Sequence, residues 1–410
     1  MAEVFKYLLI GGGLATKEAA KQINRIDPNG RLLIVGDEAH LPYDRPPLTK
    51  EMMAGQKSLA DITYHDADFY LEKGMELWLG TPIVKLDPAN HTAITGDGDE
   101  IIYEKALLAT GGNPIRLTNI PGEELPNVYY MRTIDDCEAI KAESIVGRRA
   151  VIVGGGFIGL ELAASLVSMG VLVTVIELTD HIWPRFVDRR TASAVQKYLE
   201  EKGVHFAMGE KVLSFDGEEK VTRVTTDRAH HFPCDFVVVG VGIRPNMELA
   251  MDAGLRIGNG IVVDEFFRTS DDDVYAAGDV VEYPDPVFGR RRHIEHWSHA
   301  NTSGRFAGMN MAGTEKPYQY LSFVWSDIFD LSIKFVGDAT HDKMIVRGEI
   351  DDMSFSVFYL EKGIINGVFT MNIDPKEFAL YRRLVQARVN ASNHLQDLCK
   401  PSFNLQSLLS

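Results

Sequence analysis

Residues 150–163 read AVIVGGGFIGLELA, and residues 7–20 read YLLIGGGLATKEAA. Each is an apolar run, a triple glycine and then a stretch of helix formers. That is the strand–turn–helix context in which a G-x-G-x-x-G pattern carries meaning. In the later copy, Gly154, Gly156 and Gly159 fit the full pattern. The first glycine permits a tight turn, the second lets backbone approach a pyrophosphate, and the third lets helix and strand pack closely. Free N–H groups and the positive dipole end at the helix start then favour an anion. The next apolar run, LVTVIE, ends at Glu177, where a carboxylate can accept from an adenosine ribose and repel a 2′-phosphate. No arginine or lysine follows until Arg185, so NADH is expected over NADPH.

The earlier copy has Gly11 and Gly13, with Thr16 at the third place. Its second run, RLLIVGDE, offers Asp37 or Glu38 to a ribose, with Glu38 preferred. Two dinucleotide turns in one chain suggest a flavin and a nicotinamide. Two further segments fit a flavin: ALLATGG (106–112), which runs into Ala109-Thr110-Gly111, and TSDDDVYAAGDV (269–280), which ends in Gly278-Asp279-Val280. An acid at Asp279 suits a hydroxylated ribityl chain, which needs an acceptor.

At 410 residues the chain is too long for a single core, and two or three domains are expected. A formal net charge of −16 argues against general affinity for nucleic acid or anionic membrane. No window approaches 18 consecutive apolar residues, and the apolar run in MAEVFKYLLIGGG is too short for a secretory signal, so a cytoplasmic location is expected. The three cysteines, Cys137, Cys234 and Cys399, are far apart in sequence, which excludes metal-type spacing and predicts buried, inert thiols.

Residues 41–50, LPYDRPPLTK, place three prolines around Asp44, Arg45 and Lys50. The prolines rule out a helix interior or central strand and predict a stiff loop that presents two cations.

The ordered set LPYDRPPLTK, ALLATGG, VIVGGGFIGLELA, VVVGVGIRPN, DVYAAGDV, IEHWSHANTSGRFAGMNMAG and FVWSDIFDLSIKFVG resembles the ferredoxin reductases of aromatic-ring dioxygenase and cytochrome P450 systems. The resemblance covers nearly the whole chain. It implies an α/β fold of glutathione-reductase-like architecture: two Rossmann-like domains, the FAD domain interrupted by the NAD domain, and a C-terminal α/β domain closing over the flavin. Mapped here, the FAD domain is residues 1–116 plus 246–321, the NAD domain 117–245 and the C-terminal domain 322–410. Within the last, SIKFVGDA, KMIVRGEI, SFSVFYLE and GIINGVFTMN read as strands, with helical pattern from Glu377.

By the same resemblance the proline loop runs along the flavin, with Arg45 toward the FAD phosphates or adenosine and Lys50 close to the isoalloxazine. Lys50 is then expected to pair with Glu161 of the NAD-domain helix, and these two are the expected catalytic residues. Trp297 and Trp325 match aromatic positions that approach the flavin. Further cofactor contacts are implied at Leu14, Ala15, Val84, Arg132, Phe157, Ile158, Arg185, Gly242, Glu295 and His296. No metal site is expected. Arg290-Arg291-Arg292 is the expected positive rim for an acidic ferredoxin. The implied activity is FAD-dependent transfer of electrons from NADH to a 2Fe–2S ferredoxin that serves an oxygenase or P450. No cysteine lies near the first glycine turn or in the proline loop, so electrons are expected to leave the flavin directly. The competing readings are an NADH oxidase or quinone reductase of the same fold, and an NADH-sensing interaction protein similar to apoptosis-inducing factor. The absence of a targeting segment argues against the latter.

Overall fold

The computed structural model describes residues 3–409. The chain divides into two compact units, each built from separated segments. The first contains the chain up to Asp44, Ala60–Asn113 and Arg244–Ser322; the second contains Arg45–Leu59, Pro114–Ile243 and the chain from Phe323.

In the first unit, Leu32–Val35 is wholly buried, as expected for a strand covered on both faces. It pairs in parallel with Glu3–Ile10 and with Met75–Trp78. Glu3–Ile10 pairs in parallel with Glu100–Leu108, and Val274–Ala276 adds in parallel to the end of that strand. The other end of Glu100–Leu108 carries the antiparallel strands Thr92–Thr95 and Ile83–Asp87. Helix Leu14–Ile26 makes the first crossover; it is rich in helix formers and stops ahead of Pro28, which disfavours helical backbone in the residue before it. It packs on helix Trp297–Met311 through Ala15 and Ala19 opposite Gly304 and Gly308. A Cβ added at Gly308 would stand 2.4 Å from the Ala19 carbonyl oxygen, so only glycine allows this approach.

The second unit holds a five-stranded parallel sheet in the order Val204–Met208, Leu172–Glu177, Arg149–Val153, Phe236–Val239, Val128–Tyr130. Helix Phe157–Ser168 follows the central strand. A separate antiparallel sheet runs Phe323–Ile328, Leu331–Gly337, Ile364–Met371, Ser354–Glu361, Lys343–Glu349, and helix Pro375–Gln386 packs on it. The four sequence-read strands of the C-terminal region are all present, with Phe323–Ile328 as an additional one. Arg347, 8 % exposed, gathers the backbone carbonyls of Leu398, Lys400, Pro401 and Phe403 around its guanidinium and so ties down the chain end.

Two expectations need correction. The proline loop is not wholly irregular: Pro46–Thr49 forms a 3₁₀ turn. Pro46 and Pro47 sit at its start, where the missing N–H groups would have had no partner. Cys137 and Cys234 are buried, with burial pushing both thiols up to about 12, but Cys399 is exposed. All three are free. Among the described residues no helix is long and apolar enough to cross a membrane.

Gly308→Ala should lower stability by about 1–3 kcal/mol, the usual range for overpacking, despite alanine's better helix propensity. A thermal or denaturant melt that matches the native protein would show that the two helices do not meet here.

Candidate active site

In the first unit, Gly11 has φ +119, and a Cβ there would stand 2.3 Å from the Ala109 carbonyl oxygen. Nothing lies within 4 Å of a Cβ built on Gly12 or Gly13. Gly13 caps helix Leu14–Ile26 without any side-chain hydrogen bond, so the first-turn N–H groups face an open, glycine-lined cradle. These features fit the pyrophosphate of a dinucleotide. Leu14 and Ala15 begin that helix. Thr16 is fully buried and its Oγ1 has no hydrogen-bond partner among the described residues, the consequence of a hydroxyl at the place where glycine is usual. Glu38 is partly buried and accepts from Tyr43 Oη at 2.6 Å, while Asp37 is exposed.

Asn246 locks the Ala109-Thr110-Gly111 turn. Its side-chain amide donates to the Thr110 carbonyl at 3.0 Å, its carbonyl accepts from Thr110 Oγ1 at 2.8 Å, and its N–H donates to the Gly111 carbonyl at 2.9 Å. Gly278 is buried with φ +84 and Asp279 is partly buried beside it. His296, ahead of helix Trp297–Met311, has a buried Nδ1 with no hydrogen-bond partner among the described residues. Burial lowers its pKa to about 4, so the ring is neutral at pH 7. Asp44 receives the Trp297 indole N–H at 2.8 Å and the Tyr64 hydroxyl at 2.8 Å. Glu295 is exposed and bonded to His293, and Val84 is 59 % exposed.

In the second unit the later glycine turn repeats the same geometry. Gly154 has φ +111, and a Cβ there would stand 2.4 Å from the Gly240 carbonyl oxygen. A Cβ on Gly159 would stand 2.1 Å from the Gly154 carbonyl oxygen, and around Gly156 the space is open. Gly156 caps its helix with no side-chain hydrogen bond, so this turn also fits a pyrophosphate. Glu177 is held at the tip of its strand: Oε2 accepts from the Gly155 N–H at 2.6 Å, and Oε1 from the Thr179 N–H and hydroxyl at 2.8 and 2.7 Å. Phe157 stacks on Trp183 at 5.1 Å, whereas Ile158 and Arg185 are exposed. Gly242 has φ +114 and accepts from the Ile115 N–H.

The structure brings Lys50 and Glu161 together. Lys50 Nζ lies 3.1 Å from Glu161 Oε1, with side chains only 17 % and 5 % exposed. Two hydroxyls that sequence reading missed complete the shell. Thr49 Oγ1 donates to Glu161 Oε2 at 2.6 Å, and Ser326 Oγ donates to Oε1 at 2.6 Å. The proline loop is fastened at further points. Ser165 Oγ donates to the Thr49 carbonyl at 2.7 Å, Cys137 Sγ to the Leu48 carbonyl at 3.2 Å, and Arg45 to the Arg132 carbonyl at 2.7 Å. Cys137 rides on helix Ile134–Glu143, which starts with a reciprocal Thr133–Asp136 capping box. Arg45 is therefore engaged by backbone as well as being a candidate for a phosphate. Trp325 is partly buried, 6.0 Å from Phe323, on the strand whose opposite face carries Ser326.

Members of the basic run pair within their own hairpin. Arg291 pairs with Glu282 at 2.9 Å and Arg292 with the buried Asp285 at 3.0 Å. Arg291 and Arg292 thus face carboxylates within the hairpin Val281–Asp285/Arg290–His293, so the run presents less positive charge than its composition suggests.

Residues 5–304 match the pyridine nucleotide-disulphide oxidoreductase family and residues 323–409 the reductase C-terminal family. The chain is 35% identical over 385 residues to the 5,5′-dehydrodivanillate O-demethylase ferredoxin reductase subunit of Sphingobium sp., covering 93% of each. It is 32% identical over 398 residues to putidaredoxin reductase CamA of Pseudomonas putida, covering 95% of this chain and 93% of that protein. The crystal structure of the covalent putidaredoxin reductase–putidaredoxin complex superposes with a TM-score of 0.94 at 30% identity, covering 99% of this chain and 98% of that one. The chain belongs to the pyridine nucleotide-disulphide oxidoreductase family and carries its reductase C-terminal domain.

Proposed function

We propose that the chain is a cytoplasmic, NADH-dependent flavoprotein reductase that passes electrons from NADH through FAD to a 2Fe–2S ferredoxin serving an oxygenase or P450. On this reading residues 1–116 and 246–321 form the FAD domain, 117–245 the NAD domain and 322–410 the C-terminal domain. The observation that carries it is the sharing of helix Phe157–Ser168. Its open N-terminus fits a nucleotide pyrophosphate, and less than two turns later it holds Glu161 against Lys50.

When bound, FAD supplies a ring that accepts hydride and can return electrons one at a time. The protein supplies position and charge. The Gly154–Gly156 turn holds the NADH pyrophosphate, and Glu177, locked by Gly155 and Thr179, meets the adenosine ribose. The Gly11–Gly13 cradle holds the FAD pyrophosphate, Glu38 its ribose and Asp279 its ribityl chain. Lys50 supplies a cation for charge that develops on the flavin, and Glu161 orients that cation and the nicotinamide amide. Trp297, whose indole N–H is held by Asp44, would be the aromatic side chain that approaches the flavin. The three cysteines are free and far apart in sequence, so a disulfide relay has no cysteine pair to use. The similarity to ferredoxin reductases of oxygenase and P450 systems supports the choice of acceptor.

NADH-driven cytochrome c reduction should depend on added 2Fe–2S ferredoxin. Rapid oxygen consumption that ferredoxin does not alter would instead assign an oxidase.

NADH should be preferred over NADPH. Glu177→Ala removes a charge-assisted acceptor, a loss of about 1.5–3 kcal/mol, so kcat/KM for NADH should fall by about 10- to 150-fold and the preference should narrow. An unchanged NADH/NADPH ratio would place the ribose contact on another acid.

A further inference from the structure

Glu161 accepts three bonds from two directions. Lys50 Nζ and Ser326 Oγ share Oε1 at 3.1 and 2.6 Å, and Thr49 Oγ1 takes Oε2 at 2.6 Å. The two hydroxyl contacts lie in the short range of O–H bonds to carboxylates. Ser326 is 1 % exposed and Thr49 3 %, so neither hydroxyl has water as an alternative partner. Ser326 also shares the buried face of strand Phe323–Ile328 with Ile328, a face where an aliphatic side chain would be ordinary. A hydroxyl there costs free energy unless it is bonded, and its bond goes to Glu161.

We propose that Ser326 and Thr49 are positioning residues for flavin reduction: their hydroxyls fix the Glu161 carboxylate and set how much of its negative charge is left facing Lys50. Each O–H donated to the carboxylate draws charge away from the ammonium. Without one hydroxyl the carboxylate leans on Lys50 more fully, and the lysine's field is cancelled more completely. Reduced, anionic flavin then loses stabilisation. The pyrophosphate and adenosine contacts that dominate nucleotide affinity are unaffected, because neither hydroxyl lies on the glycine turn or on Glu177. Ser326 enters from the C-terminal sheet and Thr49 from the proline loop, so two elements remote in sequence act through one carboxylate.

This inference rests on the proposed reduction of bound FAD by NADH, and the test separates the two. The FAD-loaded native protein, Ser326→Ala, Thr49→Val and Ser326→Thr are compared by stopped-flow reduction with NADH and by equilibration with a redox dye. Ser326→Ala and Thr49→Val should each slow the limiting reduction rate by about three- to tenfold, the size of one net hydrogen bond. Half-saturating NADH should stay within about twofold, the flavin potential should move negative, and Ser326→Thr should restore most of the rate by returning the hydroxyl. Native rate and potential in both hydroxyl-less variants would overturn the proposal, as would a Ser326→Thr variant no better than Ser326→Ala. A native protein whose flavin NADH does not reduce would overturn the parent function itself.

Discussion

The carboxylate of Glu161 is the point on which the second unit converges. It sits 5 % exposed in helix Phe157–Ser168 and is met by an ammonium and two hydroxyls from two other elements. A buried carboxylate without partners would be expensive, and removing one member of a buried ion pair commonly costs about 3–5 kcal/mol. The sequence around it is shaped to deliver those partners. Prolines stiffen the loop that carries Thr49 and Lys50, and backbone carbonyls at Leu48 and Thr49 receive donors from Cys137 and Ser165. Lys50 is fixed in the same way: its N–H donates to the Pro47 carbonyl at 3.1 Å and its carbonyl accepts from the Ala54 N–H at 2.8 Å.

The two glycine turns solve one problem twice, with different tolerances. The later turn has glycine at all three places, and the backbone of Gly159 comes so close to Gly154 that any side chain would collide. The earlier turn accepts Thr16 at the third place and leaves its hydroxyl buried, with no partner among the described residues. Close packing of that first helix comes instead from Gly304 and Gly308 on the helix opposite.

Much of this was legible in the sequence because it rests on local rules. The strand–turn–helix pattern, the acid at the end of the second strand and the apolar runs of the C-terminal strands depend on nearest neighbours. The Lys50–Glu161 pair is 111 positions apart and came only from the family resemblance. Thr49, Ser326 and Asn246 were missed because serine, threonine and asparagine are common in loops and on surfaces. Nothing local marks a hydroxyl that will be buried against a distant carboxylate. The partners of the basic run were illegible for a related reason: a guanidinium's partner, here Asp285 or Glu282 across a hairpin, is a tertiary fact.

Coupling between Lys50 and Glu161 is the most direct measure of this arrangement. Stopped-flow reduction of the bound flavin by NADH would be compared for the native protein, Lys50→Met, Glu161→Gln and the double variant. Residues that act through each other do not add, so the double variant should lose less than the sum of the single losses in transition-state free energy. Strict additivity would show that the lysine and the glutamate act separately, and the ion pair would then have no part in the chemistry.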